Sequence, residues 1–194
     1  MPPKAKVTKD MVIDAAVEVA RESGGEAISA RSVSEKLNCS TQPVMYHFST
    51  IEALKRAAYL KADAYHSAWL LDIHSENPMK DLGLNYIRFG AMEKNLFRFL
   101  FQSNAFSEKT LSQLIDAEEI QPVIQAVSRE AEVSMEQAKQ VFRVLFLMVH
   151  GYASMLANNE MEFDEKAVSS DLTLMFHGAV CGIKGGQESY VSFL

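Results

Sequence analysis

Apolar residues recur every three or four positions along most of the chain, the period of a helix with one buried face. The chain holds no convincing alternation of apolar and polar residues and no internal repeat, so we expect no strands. The sequence therefore predicts an all-α protein. The expected helices cover about 8–23, 30–37, 41–48, 51–73, 77–94, 96–102, 111–116, 122–132, 135–158 and 164–178.

Residues that can cap a helix stand at the start of several of these segments. Ser29, Ser40 and Thr50 each precede one, and a hydroxyl there can accept a hydrogen bond from an unpaired N–H of the first turn. Ser134 with Gln137 makes a capping box for the most apolar segment. That segment is apolar nearly all round, so we expect the core to bury one side and another subunit to bury the other.

Two of the predicted helices, 30–37 and 41–48, are short and separated only by Asn38 and Cys39. Asparagine tolerates the left-handed conformation that a tight turn needs. This arrangement predicts a helix-turn-helix, whose second helix is shaped to enter the DNA major groove. The surface left on that second helix consists of hydrogen-bonding or flat side chains with no acid among them: Thr41, Gln42, Pro43, Tyr46 and His47.

Residues 28–54 carry short motifs typical of one family. These are Val33-Ser34-Glu35-Lys36-Leu37, Met45-Tyr46-His47-Phe48 and Glu52-Ala53-Leu54. With them the segment resembles the DNA-binding domain of the TetR/AcrR family of bacterial transcription regulators. The resemblance implies double-stranded operator DNA as a partner and a homodimer on a pseudo-palindromic site. The DNA-contacting candidates are Arg31, Ser40, Thr41, Gln42, Pro43, Tyr46, His47 and Lys55.

The chain departs from the family pattern at three positions. Asn38 stands where the family usually has glycine, Met45 where it has tyrosine and Ile51 where it has lysine. The last two changes remove phosphate contacts that the family commonly makes. Tyr46, Lys55 and the arm before the first helix, with Lys4 and Lys6, would have to compensate.

The resemblance implies two domains. Residues 1–50 would bind DNA, a helix over about 51–73 would connect, and 74–194 would form a larger helical domain for ligand binding and dimerisation. The charge distribution agrees, because residues 1–61 hold nine Lys/Arg against seven Asp/Glu and the remainder carries a net −8. A mildly basic head on an acidic body suits a protein that touches DNA at one end.

The C-terminal part resembles, more loosely, the ligand-binding and dimerisation domain of the same family, in which the last two long helices pair with their mates. Aromatic and sulfur-bearing side chains suit an adaptable apolar pocket. The pocket candidates are Tyr86, Phe89, Met92, Phe97, Phe101, Met148 and Tyr152. The dimer-interface candidates are Phe146, Val168, Leu172, Met175, Phe176 and Ala179.

Other chemistry is poorly supported. No Gly-rich phosphate loop, GxSxG or HExxH occurs, so we expect neither an enzyme nor a cofactor. Only Asp63-x-x-His66 has metal-ligand spacing, and we expect no metal site. The two cysteines indicate reduced thiols in a cytoplasm. The uncharged apolar run 144–156 falls short of the roughly 20 residues that cross a bilayer, so we expect a soluble, membrane-free protein.

The sequence therefore predicts a ligand-responsive, DNA-binding transcription regulator, with repression relieved by a small apolar effector as the leading form. One alternative is an α-helical protein that binds a small molecule or a partner and has lost sequence-specific DNA binding. A metal-carboxylate helical enzyme is a third interpretation.

Overall fold

A computed structural model describes residues 7–103 and 110–185, and within these ranges every regular element is helical. The all-α prediction is confirmed. The arm with Lys4 and Lys6 lies outside the described residues. Ten α-helices are present in the described chain: α1 Lys9–Ser23, α2 Ala30–Lys36, α3 Thr41–His47, α4 Ile51–Leu70, α5 Pro78–Met92, α6 Lys94–Phe101, α7 Leu111–Ile115, α8 Gln121–Ala131, α9 Met135–Asn158 and α10 Glu165–Lys184. Short 3-10 turns occupy Gly25–Ala27 and Glu118–Ile120.

The predicted caps form at most helix starts. Ser29 and Thr50 accept hydrogen bonds from the N–H groups of Ser32 and Ala53, and Ser134 forms its capping box with Gln137. Ser40 is the exception, because its side chain makes no capping hydrogen bond. The prediction of a cap at Ser40 was wrong, and its hydroxyl is left available to another partner.

The first three helices form a helix-turn-helix unit on α4. Val12, Val33, Val44 and Leu54, one from each of the first four helices, are completely buried together. Asn38 adopts the left-handed conformation with φ of 49°, as the turn between α2 and α3 requires. Local sequence signals thus produce the motif, and burial of one residue per helix holds it together.

Helix α6, like α4, connects the helix-turn-helix to the C-terminal helices. Phe99 packs directly on Gly25, where a Cβ atom would collide with its ring. Arg21 in α1 donates to Glu93 (3.1 Å), and Asn95 donates to the main-chain oxygen of Arg21 (2.8 Å). One continuous hydrophobic core extends beneath both regions. The division into two domains stays a prediction.

The C-terminal helices are arranged around α5 and α9. These two helices approach closely at Gly90, where a Cβ would lie 2.7 Å from that of Ala153, so a larger residue would push them apart. Helices α8 and α10 flank α9, and a second apolar cluster including Ile124 and Val141 lies under α8. The helices leave a large space on the side of α5 that faces α4 and α10.

Helix α9 is long and apolar enough, by length and composition, to cross a membrane. Core helices of soluble proteins pass the same test, and a third of the most apolar window of α9 is buried. The described residues leave its outer face uncovered: Val144, Leu147 and Met155 are 40%, 53% and 52% exposed. Within residues 7–103 and 110–185 of a single chain, the expectation of burial on all sides is thus met on one side only.

Candidate nucleic-acid interface and ligand cavity

The outward face of α3 presents uncharged polar side chains. Thr41 and Gln42 are exposed, and Tyr46 is 79% exposed, while Val44 holds the opposite face in the core. Pro43 is half-buried. The Ser40 hydroxyl, just before the helix, is exposed and caps no N–H group. Exposed hydroxyl and amide groups of this kind can contact base edges or phosphates.

Arg31 and Lys55, two of the predicted DNA contacts, already have acidic partners. The Nε atom of Arg31 lies 2.8 Å from Glu35, and the Nζ atom of Lys55 lies 2.9 Å from Glu26. The hydrogen bond and the charge of Glu35 raise the pKa of Arg31. Exposed ion pairs of this kind are worth little in water. Both cations can therefore exchange a carboxylate for a phosphate at small cost.

His47 is placed differently from the rest of the predicted set. Its Nε2 atom lies 2.9 Å from the main-chain oxygen of Val7, and its ring contacts Tyr46 edge-on. This contact ties the segment before α1 to the end of α3. His47 thus positions Val7, just before α1, and its Nε2 is already engaged.

A cavity of about 610 Å³ lies among α4, α5, α8, α9 and α10. Its wall is mostly apolar and aromatic. The apolar lining includes Leu70, Met79, Leu82, Tyr86, Phe101, Val123, Phe142, Leu145, Phe146, Val149, Leu172 and Phe176. A volume and lining of this kind are typical of small-molecule sites.

Some of the predicted pocket residues line this cavity, and others lie in the core or on the surface. Tyr86 and Phe101 line the cavity. Phe89 and Phe97 are completely buried in the core behind it, and Met92 is 67% exposed on the outside. Met148 and Tyr152 are half-buried against the core and lie outside the lining. Sequence spacing selected apolar positions but could not separate those that fill the core from those that border a space.

The residues predicted for a dimer interface also divide. Phe146, Leu172 and Phe176 line the cavity, and Val168 is completely buried within the chain. Met175 and Ala179 are half-buried on α10. The exposed large apolar residues of α9 and α10 are instead Met135, Val144, Leu147 and Met155 on α9 and Leu174, 71% exposed, on α10.

Two histidines and a tyrosine form a polar cluster beside the cavity. The Tyr86 hydroxyl lies 2.9 Å from Nδ1 of His150, whereas the buried Nε2 of His66 has no hydrogen-bond partner among the described residues. Burial lowers the pKa of His66 to about 4 and lowers the pKa of His150, and it raises the pKa of Tyr86. All three groups are therefore neutral near pH 7.

Sequence reasoning missed the acidic side of the cavity. Asp63 and Glu119 both line it, and burial, followed by the charge of Glu119, raises the pKa of Asp63. The Asp63-x-x-His66 spacing was the available signal, because residues three apart share one face of a helix. Within residues 7–103 and 110–185, no three His, Cys, Asp or Glu side chains group as a metal site would need.

Comparison with known proteins shows the fold. The sequence matches no protein-family model and no curated protein sequence. Two solved structures are similar. A TetR variant from Acinetobacter baumannii AYE in complex with minocycline has a TM-score of 0.57 and 16% identity, over 93% of this chain and 98% of that one. A TetR-like transcriptional regulator from Rhodococcus sp. RHA1 has a TM-score of 0.60 and 15% identity, over 95% and 99%. The chain therefore has the all-α fold of the TetR-like regulators.

Proposed function

We propose that this protein is a transcription regulator that binds DNA through α3 and responds to a small molecule in the cavity. The observation that carries the proposal is the course of α4. Its first turns pack under the helix-turn-helix through Leu54, and its later turns line the cavity through Asp63, His66 and Leu70. One helix thus contacts both candidate sites.

The DNA contacts are divided by chemistry. Gln42 can make two hydrogen bonds to adenine, and Thr41 and Pro43 can contact a thymine methyl. Arg31 would reach the groove or backbone after leaving Glu35. The remaining side chains, Ser40, Tyr46 and Lys55, would hold phosphates and so fix the helix in its groove. His47 would support this surface by anchoring the segment before α1.

A homodimer would place two copies of α3 on one DNA duplex. The exposed apolar residues Val144, Leu147, Met155 and Leu174 are candidates for the surface that a second copy covers. Successive major grooves lie roughly 34–36 Å apart, so a two-fold dimer would bind a pseudo-palindromic operator. We propose residues 1–50 as the DNA-binding domain and 74–194 as the ligand-binding and dimerisation domain, acting in the cytoplasm.

Repression relieved by ligand is the form of regulation we favour. A molecule that fits the cavity better in one position of α4 than in another would shift the separation of the two DNA-binding ends. Helix α6 would transmit the same shift to the DNA-binding end, because its residues Phe99 and Asn95 contact the loop after α1 and the end of α1. The alternative, a helical binder that has lost DNA binding, is favoured by two departures from the family pattern: Met45, 42% exposed where a phosphate contact is expected, and Ile51 in place of lysine.

The experiment that tests the proposal is selection of bound duplexes from a random library. Enriched duplexes are then compared with scrambled duplex by fluorescence anisotropy across a salt series. A regulator should enrich a pseudo-palindrome, with log K falling by about 0.9 per phosphate contacted for each tenfold rise in salt. Failure to enrich any sequence, with equal weak binding to all duplexes, would favour the alternative.

The dimer is tested separately by light scattering on Leu147→Glu. A buried, unpaired carboxylate in an interface is strongly unfavourable, so this variant should be monomeric and bind the palindrome as a half-site. Leu60→Glu is the control, since Leu60 is 54% exposed on α4, away from the proposed interface. A Leu147→Glu protein that remains dimeric would contradict the placement of this interface.

A further inference from the structure

Among the described residues, the charged side chains that line the cavity are three acids and one lysine: Asp63, Glu119, Glu130 and Lys80. The Glu130 carboxylate and the main-chain N–H of Lys80 both contact the Asn77 side chain at the start of α5. Asp63 lies on α4 and Glu119 in the 3-10 turn before α8. Neither has an ion-pair or hydrogen-bond partner among the described residues.

An unpaired, half-buried carboxylate beside a second acid is unfavourable in its ionised form, and a bound cation relieves this cost. The surrounding wall is aromatic, with Tyr86, Phe101 and Phe146 on neighbouring helices. Aromatic faces attract cations as well as apolar groups. The two acids and the rings together favour a ligand that is apolar over most of its surface and positively charged at one end.

His66 supplies an independent sign that a ligand belongs here. Its side chain lines the same cavity, is only 5% exposed, and has no hydrogen-bond partner at Nε2 within the described chain. Buried polar atoms are nearly always paired in native proteins. His66 lies three residues after Asp63, on the same face of α4, so one molecule can reach both side chains.

We propose that the cavity takes a lipophilic amine whose ammonium group is held by Asp63 and Glu119, with His66 hydrogen-bonding to a polar group nearby. The inference rests on the proposed function only in calling this molecule the effector. Because Asp63 is on α4, about 18 Å along the helix axis from Ile51 at 1.5 Å per residue, the ion pair would act on the helix that supports the helix-turn-helix.

The test uses three probes with one apolar body and different charges, and it is carried out without DNA. They are 9-(aminomethyl)anthracene, which is protonated at neutral pH, 9-(hydroxymethyl)anthracene and 9-anthracenecarboxylate. Binding to the full chain is measured by calorimetry and probe fluorescence. The amine should bind about tenfold tighter than the alcohol, and the carboxylate weakest, because the acids attract one charge and repel the other.

Three variants locate the effect. Asp63→Asn should remove the preference for the amine and leave the affinity for the alcohol unchanged. Glu119→Gln, at an exposed position whose change leaves the core intact, should reduce the same preference. Glu118→Gln, next in sequence and outside the cavity lining, should behave as wild type. Equal binding of amine and alcohol, tighter binding of the carboxylate, or no binding of any probe overturns the proposal.

The two proposals fail in different ways. Amine binding that depends on Asp63 but leaves palindrome binding unchanged overturns the regulatory function and keeps the ligand class. Palindrome binding by a protein whose cavity does not prefer the amine overturns the ligand class and keeps the DNA-binding function.

Discussion

In α2 and the start of α4, Arg31, Lys36 and Lys55 are paired with Glu35, Glu22 and Glu26, whereas in the cavity Asp63 and Glu119 have no ion-pair partner among the described residues. The two regions lie toward opposite ends of the same helix, α4. At the DNA-facing end each of these cations must leave a carboxylate before it binds a phosphate, so the net electrostatic free energy gained is small. In the cavity the two acids have no such partner, so a bound cation would form a new ion pair with them. Charge distribution therefore indicates different selectivities at the two ends.

The DNA-binding end and the cavity share one hydrophobic core. Removal of a large side chain from that core should therefore have the largest effect on both regions. Phe97 is completely buried and contacts the rings of Tyr86, Phe101 and His150. Phe97→Ala should lower the free energy of unfolding by about 3–5 kcal/mol, through lost burial and a residual cavity. Urea denaturation followed by circular dichroism and by Trp69 fluorescence should show one shifted transition.

Met92→Ala is the control for this experiment. Met92 is 67% exposed at the end of α5. Its loss should therefore change stability by no more than roughly 0.5 kcal/mol. Two separate transitions in the Phe97→Ala protein would show that the two ends unfold independently and that the continuous core does not couple them.

The cavity region should also be the more sensitive to acid. Burial lowers the pKa of folded His66 to about 4, below its ordinary value of 6.5, so the unfolded chain binds the proton first. The contribution of this group to stability is then full above about pH 6.5 and falls as pH drops toward 4, by on the order of 3 kcal/mol. The measurement is the free energy of unfolding at a series of pH values.

His66→Phe isolates this contribution, because His150, whose pKa burial also lowers, remains in both proteins. Phenylalanine suits the ring contacts that His66 makes with Tyr86, Phe89 and Phe101. The variant's stability should depend less on pH between 6.5 and 4. Parallel pH profiles for the two proteins would show that His66 is not held neutral by burial.

In the DNA-binding region, loss of a single groove-facing side chain should have a smaller effect, which is detected as a change in base preference. Gln42→Ala should weaken binding to the selected palindrome by about 1–3 kcal/mol and relax the preference at one base pair. Gln125→Ala on the exposed face of α8 is the matched control. An unchanged base preference in the Gln42→Ala protein would contradict the assignment of this residue to the groove.

The smallest effect is expected on DNA affinity when the acidic partner of one paired cation is removed. Glu35→Gln removes an acid from the DNA-facing side and frees Arg31, so affinity should rise about threefold and the salt dependence should steepen. Glu160→Gln removes one negative charge far along the chain, just after α9, and serves as the control for net charge. Equal gains from the two variants would assign the effect to overall charge and not to the Arg31–Glu35 pair.

The helix-turn-helix could be predicted closely, and the cavity could not. Ser29 and Asn38 act on neighbours within a few positions, and the helical spacing of Val44 and Phe48 predicts the buried face of α3, so these roles follow from spacing alone. The pocket residues are placed by helices far apart in the chain. Phe89 and Phe101 look alike in sequence, yet one fills the core and the other borders the space. Phe146 and Leu172, expected between subunits, line the cavity for the same reason.

By itself the sequence determined the all-α class, the start of nearly every helix and the motif at α2–α3, because hydrophobic period and capping are local properties of the chain. Only the tertiary structure decided which side chains enclose the cavity, that Asp63 and Glu119 face it without a described partner, and that Lys55 is paired with Glu26. These features depend on distances between residues on separate helices. Such distances are set by packing of the whole core, which no short stretch of sequence contains.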